Sequence, residues 1–257
     1  MKKTTTILCL GIALCMLGCS DDDDQVTTTS TVPFSLTASL SPRSSDAEDT
    51  GILQGNWNAN SQLAVMKTGS SGVPKTILTR ETDSSDTFTG DLSTLVKNEN
   101  EIAVFYPAAA ITATSSDTLT QTLNLSGQDG TLAGITNYVY SWALCKASMN
   151  ETTGSSACEM TSLVTIGKFQ FTANGDSPLN NITRITVTAT AGNLYSSAVM
   201  KLKDGEFSST QTGNITIKNK TGISGTTYIS FFPSEAQLHF TLVTTTGEVY
   251  ETATSTT

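Results

Sequence analysis

The sequence predicts an all-β protein of sandwich architecture. Short runs that alternate apolar and polar residues recur roughly every ten residues, which is the spacing of strands in sandwiches. Gly, Asp, Asn and Pro signals separate those runs, and no stretch sustains the 3.6-residue period of an amphipathic helix. Composition agrees. The chain is 37% hydrophobic and only 14% charged, against about 25% charged in a typical domain. Thr, Ser and Asn must therefore supply much of the polar surface, and β-branched Thr packs well on a pleated sheet.

The elements follow in order. Pro33 to Leu40 alternates strictly and reads as a half-buried strand. Ser41 to Gly55 loses all periodicity and reads as an exposed acidic loop containing Arg43. Leu63-Ala64-Val65-Met66 and Thr87 to Gly90 are short strand candidates. Ile102-Ala103-Val104-Phe105-Tyr106, closed by Pro107, has the continuous apolar run of a strand covered on both faces. Leu119 to Leu125 alternates and breaks at Ser126-Gly127-Gln128-Asp129-Gly130. In the second half, Val164 to Ala173 and Ile182 to Ala189 are separated by the turn signal at Asn174 to Pro178. Asp204-Gly205 between Val199 to Lys203 and Glu206 to Ser209 predicts a two-residue hairpin turn, because both central residues tolerate positive φ. Asn214 to Lys218, Thr227 to Phe232, Leu238 to Thr244 and Glu248 to Thr252 complete the series.

The N-terminus reads as an export address. Lys2 and Lys3 precede an apolar stretch, Ile7 to Leu17, which is too short to span a bilayer core of roughly 20 apolar residues and suits a signal h-region. The small residue Gly18 before Cys19 resembles the bacterial lipobox. That resemblance implies a signal peptide over residues 1–18, cleavage after Gly18 and acyl chains on Cys19. Ser20, Asp21, Asp22, Asp23 and Asp24 follow, a run that cannot be buried and reads as solvated tether through residue 32. A Ser and an acidic run directly behind a lipidated cysteine resemble the export signal of Bacteroidetes surface lipoproteins, which implies the outer face of the outer membrane.

Charge and cysteines narrow the functional classes. The chain has 14 Lys+Arg and 23 Asp+Glu, and losing Lys2 and Lys3 with the signal makes it more acidic. Phosphate contacts need clustered Lys and Arg, so nucleic acid is not an expected partner. Cys145 and Cys158 are the cysteines left after processing and lipidation. Outside the cytoplasm an even pair suggests a disulfide. It would clip the Gly/Ser/Thr/Asn-rich segment Met149 to Ser156 and contribute on the order of 3 kcal/mol; two separate buried thiols are the alternative.

Chemistry is scarce. His239 is the single histidine and reads as an exposed strand position opposite Leu238, Phe240 and Leu242. A Ser-His-Asp triad would have to use it, yet no Gly-x-Ser-x-Gly motif is present. Phosphate-loop, dinucleotide and calcium-loop patterns are missing as well, so no cofactor or metal is expected. Asp129 and Glu101 are nominal partners for glycoside hydrolysis, but Gln128-Asp129-Gly130 reads better as a turn. Trp142, within Tyr138 to Leu144, reads as a core anchor. Trp57, between Asn56 and Asn58, reads equally as core or as a sugar-stacking platform.

One order of landmarks resembles a known family. An alternating strand leads to a loop with Arg43, then Trp57, then Leu63-Ala64-Val65, then Ile102 to Pro107. Leu125-Ser126-Gly127-Gln128-Asp129-Gly130-Thr131-Leu132 follows about twenty residues later, with Tyr138 and Tyr140 beyond. This order resembles the fimbrillin-like proteins of Bacteroidetes, subunits and accessory proteins of type V pili. The resemblance implies two transthyretin-like β-sandwich domains in tandem, placed here at residues 33–158 and 159–257. It implies assembly with other pilus subunits by β-strand exchange, after an arginine-specific protease removes the first strand. Phe34, Leu36, Ala38 and Leu40 would be the buried face of that strand and Arg43 the cleavage position. Members usually continue beyond the Gly-Glu-Val-Tyr region into a further hairpin and strand, whereas this sequence stops at Thr257, which suits a tip or accessory subunit or a truncated reading. The function expected is a non-catalytic pilus subunit or pilus-associated adhesin, with a host or bacterial surface ligand. The alternative is a surface glycan-binding lipoprotein.

Overall fold

The computed structural model describes residues 30–41, 51–69, 73–112, 120–173 and 177–252. Nearly all regular structure in them is strand. The first half supplies β1 (Thr31–Leu40), β2 (Gln62–Lys67), β3 (Thr76–Arg80), β4 (Thr87–Ser93), β5 (Glu101–Tyr106), β6 (Thr120–Asn124), β7 (Ser141–Lys146), β8 (Ser148–Met149) and β9 (Gly154–Ser162), with one α-helical turn, α1 (Leu132–Ile135), and short 3-10 turns at Gly51–Gln54, Ala108–Ala110 and Thr136–Tyr138. The second half supplies β10 (Thr165–Gln170), β11 (Thr172–Ala173), β12 (Ser177–Pro178), β13 (Ile182–Ala191), β14 (Tyr195–Lys201), β15 (Phe207–Thr212), β16 (Ile215–Ile223), β17 (Thr226–Phe231), β18 (Gln237–Thr244) and β19 (Val249–Glu251).

The largest sheet runs β1-β4-β3-β2-β5-β7-β9-β8, and β1 pairs with β9 as well as β4, so its hydrogen-bonded circuit closes. The remaining strands form the sheets β16-β13-β18-β19, β15-β14-β6, β10-β17 and β11-β12. In the third-named strand group β6, from the first half of the sequence, pairs with β14 from the second.

The continuous apolar run of β5 is covered on both faces, as its sequence predicts. Ile102, Val104 and Tyr106 join Phe34, Leu36, Phe88 and Leu92 in one hydrophobic cluster. Ala103 and Phe105 join Leu123, Met200, Ile185, Ile217 and Ile229 in the other. β2 divides the same way, Leu63 and Val65 to the first cluster and Ala64 and Met66 to the second. Two adjacent strands are thus a shared wall, which a half-buried alternating strand could not provide.

Two expectations are corrected, and two strands appear that the sequence did not announce. The hairpin at Asp204-Gly205 exists, but its loop is longer than two residues: Gly205 N–H donates to the Lys201 carbonyl at 3.0 Å and β15 starts only at Phe207. Leu202 is buried there, and Trp142 Nε1 donates to its carbonyl at 3.2 Å, so the core pulls the chain in before the turn. His239 is half-buried rather than exposed, with its ring Nδ1 3.3 Å from Thr252 Oγ1. β3 and β9 were not legible as strands, since Thr76–Arg80 is mostly polar and Gly154–Ser162 carries Met160 as its one fully buried side chain.

Tyr140 links the two halves. Its ring stacks on Phe232 with centroids 6.3 Å apart, and its hydroxyl donates to the Asn124 carbonyl at 2.7 Å. Burial pushes the phenol up to about 12, above the ordinary value near 10. The folded state therefore holds a proton that the unfolded state releases. The associated stability is complete below pH 10 and is lost as pH rises towards 12, at up to roughly 1.4 kcal/mol per pH unit in that window. Tyrosine absorbance titration should show one phenol ionising late, and Tyr140→Phe should flatten the alkaline fall in stability.

Candidate functional site: the slot that holds the first strand

β1 lies antiparallel to β4, from Thr31↔Ser93 to Thr37↔Thr87, and parallel to β9, from Phe34↔Gly154 to Leu40↔Met160. Its backbone is thus paired on both edges. Its alternation has the expected sense: Val32, Phe34, Leu36, Ala38 and Leu40 are all buried. Removing β1 would leave two unpaired strand edges facing each other across an apolar floor, and such edges readily accept another strand.

Each row of the slot has its own shape. Phe34 has glycine on both sides, Gly90 on β4 and Gly154 on β9. A Cβ on Gly90 would lie 2.9 Å from the Ile77 carbonyl oxygen and 2.9 Å from Leu78 Cδ2. A Cβ on Gly154 would overlap Met149 Sδ and lie 2.7 Å from the Phe34 ring. Leu78 and the Ile77 carbonyl occupy the space beside Gly90, and Met149 with the edge of the Phe34 ring occupies the space beside Gly154. Leu36 sits between Phe88 and Ser156, and Leu40 beside Met160.

Ala38 is held by its backbone. Its N–H donates to the Asp86 carbonyl at 2.9 Å, and its carbonyl accepts from Trp57 Nε1 at 2.7 Å. Trp57 is 4% exposed and packs edge-on against Phe88 and Tyr106, with centroids 4.9 and 5.1 Å away. Trp57 is therefore a core clamp on the first strand, and this removes it as a sugar platform. Trp142 is half-buried against the second cluster, and its ring covers Gly205, where an added Cβ would lie 2.6 Å away. Trp57→Phe keeps most of the packing but orphans the buried Ala38 carbonyl, so a loss of about 1–3 kcal/mol is expected, measurable by urea unfolding.

Cys145 and Cys158 stand on β7 and β9. The register Ser141↔Ser162 and Trp142↔Thr161, carried forward, sets them opposite each other. Both are half-buried free thiols here, with their side chains in hydrogen-bond contact. That contact lowers Cys145 to about 7 and raises Cys158; the pair gives up its first proton readily and holds the second.

The Gln-Asp-Gly segment is a fastener rather than a catalytic element. Gln128 is 1% exposed, and its side chain mimics a strand partner of Ser230. Its Oε1 accepts from Ser230 N–H at 2.7 Å, while its Nε2 donates to the Ser230 carbonyl at 3.2 Å and the Leu125 carbonyl at 3.0 Å. Asp129 Oδ1 accepts from the Thr131 N–H and hydroxyl, and Thr131 Oγ1 caps α1 through Gly134 N–H. Gly130 has φ +77°, and an added Cβ would lie 2.6 Å from Ile223 Cδ1. Asp129 is thus occupied in the turn its sequence predicts, and Glu101 is an exposed residue at the start of β5.

Cys19, Ser20 to Asp24 and Arg43 lie outside the described residues.

No family model and no curated protein matches the sequence. Solved structures do. One is a "putative cell adhesion protein" of Bacteroides ovatus, at TM-score 0.53 and 14% identity, covering 87% of this chain and 86% of that one. The two proteins share a fold. A "putative adhesin" of the same species has TM-score 0.43 at 12% identity, covering 92% of this chain and 86% of that one. A "fimbrial protein" of Bacteroides ovatus has TM-score 0.43 at 11% identity, covering 88% of this chain and 46% of that one.

Proposed function

We propose that this protein is a non-catalytic, surface-displayed pilus subunit or pilus-associated adhesin that assembles with other subunits by strand exchange at the β1 slot. The carrying observation is the double-edged pairing of β1 with its alternate side chains buried. A strand seated this way is replaceable in principle: main-chain hydrogen bonds give affinity to any extended segment, and the side-chain rows give specificity. Arg43 stands three residues beyond the end of β1, so cleavage there would detach β1 and open the slot. The shared fold with a Bacteroides protein described as adhesive supports the same reading. We place the chain in two transthyretin-like domains, 33–158 and 159–257, anchored by acyl chains on Cys19 behind the Ser20 to Asp24 signal. Cys19→Ala should abolish acyl labelling and release the protein from the outer-membrane fraction.

The Cys145–Cys158 pair belongs to this reading as a disulfide formed after export. Both thiols lose a proton and an electron, and the oxidant is a disulfide-bearing exchange protein, itself reduced to two thiols. Alkylation mass analysis of secreted protein should find both cysteines blocked until a reductant is added; free alkylation without reductant would overturn the bridge.

The assembly reading is tested by shearing surface filaments from intact cells and blotting them, with and without boiling in SDS. A ladder that collapses on boiling indicates strand-exchanged polymer, and a single band in the sheared fraction a tip or accessory subunit. Retention of all protein in the outer membrane would sink the pilus assignment.

A further inference from the structure

We infer that the slot selects its strand by side-chain size, row by row, and takes only an extended segment with an aromatic ring at the Phe34 row, an aliphatic side chain two residues on, and a small side chain two residues beyond that. This deepens the strand-exchange reading and rests on it. The partner is accordingly a strand of pattern aromatic-x-aliphatic-x-small, running antiparallel to β4 and parallel to β9, rather than any apolar segment.

Backbone pairing cannot supply this choice. The ladders to β4 and β9 use main-chain groups that every residue except proline possesses. The indole of Trp57 also reads only a carbonyl, that of Ala38. Discrimination must come from the inward rows, and two of them are unusual.

At the Phe34 row the slot contributes no side chain from either neighbouring strand, because Gly90 and Gly154 flank it. The surrounding backbone and Leu78 crowd any Cβ at Gly90, so the row cannot be filled from the β4 side. A small residue there leaves a void that neither glycine can fill, with Met149 and Leu78 at its margins able to close it only in part. Buried voids of this kind persist because neighbours relax only partly.

At the Ala38 row the opposite holds. Ala38 is fully buried with Cys158 beside it in register. Trp57 is fixed over its carbonyl by two edge-on aromatic contacts, and Asp86 holds its N–H. A larger side chain has no lateral freedom, and overpacking of such a row forces strain on the strand. The row between them, Leu36 with Phe88 and Ser156, tolerates aliphatic variation because Ser156 is small.

The test uses the full chain carrying a site-specific protease sequence inserted between Arg43 and Asp49. The cut protein is unfolded in guanidinium and refolded against an excess of a fluorescent peptide, and retained label is read by gel filtration and by titration. The peptides are residues 31–40 and its variants F34Y, F34A and A38L. The expected outcome is capture of the native peptide and F34Y, with F34A and A38L weaker by at least about a hundredfold. Equal capture of all four would overturn the size code while leaving strand exchange intact. Failure to capture the native peptide would overturn both, since the slot would then not accept a strand in trans.

Discussion

Replacing Phe34 by alanine is expected to lower stability by about 3–5 kcal/mol, the range for large aromatic truncations in a core. For a protein of this size that is a fall in Tm of about 10 °C. The upper end is favoured because Gly90 and Gly154 flank the ring and the backbone behind Gly90 cannot advance. β1 should also loosen as a unit, since Phe34 is the largest side chain that pins it. Thermal and urea unfolding measure the loss, and native-state hydrogen exchange should show the amides of β1, β4 and β9 losing protection together. Ser39→Ala, on the exposed side of the same strand, should change stability by no more than about 0.5 kcal/mol. A Phe34→Ala variant as stable as the parent would mean that β1 is not seated as described.

Gln128→Leu is the second large effect, expected at about 3 kcal/mol or more. Leucine fills similar space, so packing is not the issue. The substitution strands three buried backbone groups, the N–H and carbonyl of Ser230 and the carbonyl of Leu125, and each unmet group costs about 1–3 kcal/mol. Because this amide ties the segment after β6 to β17, the variant should also uncouple the two halves. In a Trp142→Phe background, where fluorescence reports only Trp57 in the first cluster, that signal and far-UV circular dichroism should then cease to unfold together. Ser126→Ala, on an exposed residue of the same segment, serves as the neutral comparison.

The strands with strong periodicity were legible in the sequence. Pro33 to Leu40 alternates because one side faces an apolar floor, and Ile102 to Tyr106 does not alternate because both sides face a core. What was hidden is pairing over long separation. β9 carries few apolar residues and is held by backbone bonds to β1, more than a hundred residues earlier, so no local pattern could announce it. The turn character of Gln128-Asp129-Gly130 was readable from Gly and Asp, but the partner of Gln128 is Ser230, on a distant strand. Trp57 looked equally suited to surface and core, and its carbonyl partner decided the matter. His239 escapes its local pattern because Thr252, just past the edge strand β19 that pairs with β18, sits against its ring.

The closure of the circuit by β1 has a mechanical consequence. If acyl chains hold Cys19, as proposed above, tension from that anchor reaches the described fold first at Thr31, the start of β1. The ladder bonds to β4 and β9 lie across the axis of β1 on both sides. A pull therefore loads them all at once in shear instead of peeling them one after another. The strand that proteolysis would remove is then the one best placed to bear load, and a single cut beyond its end would release the fold from its mooring and open the slot together.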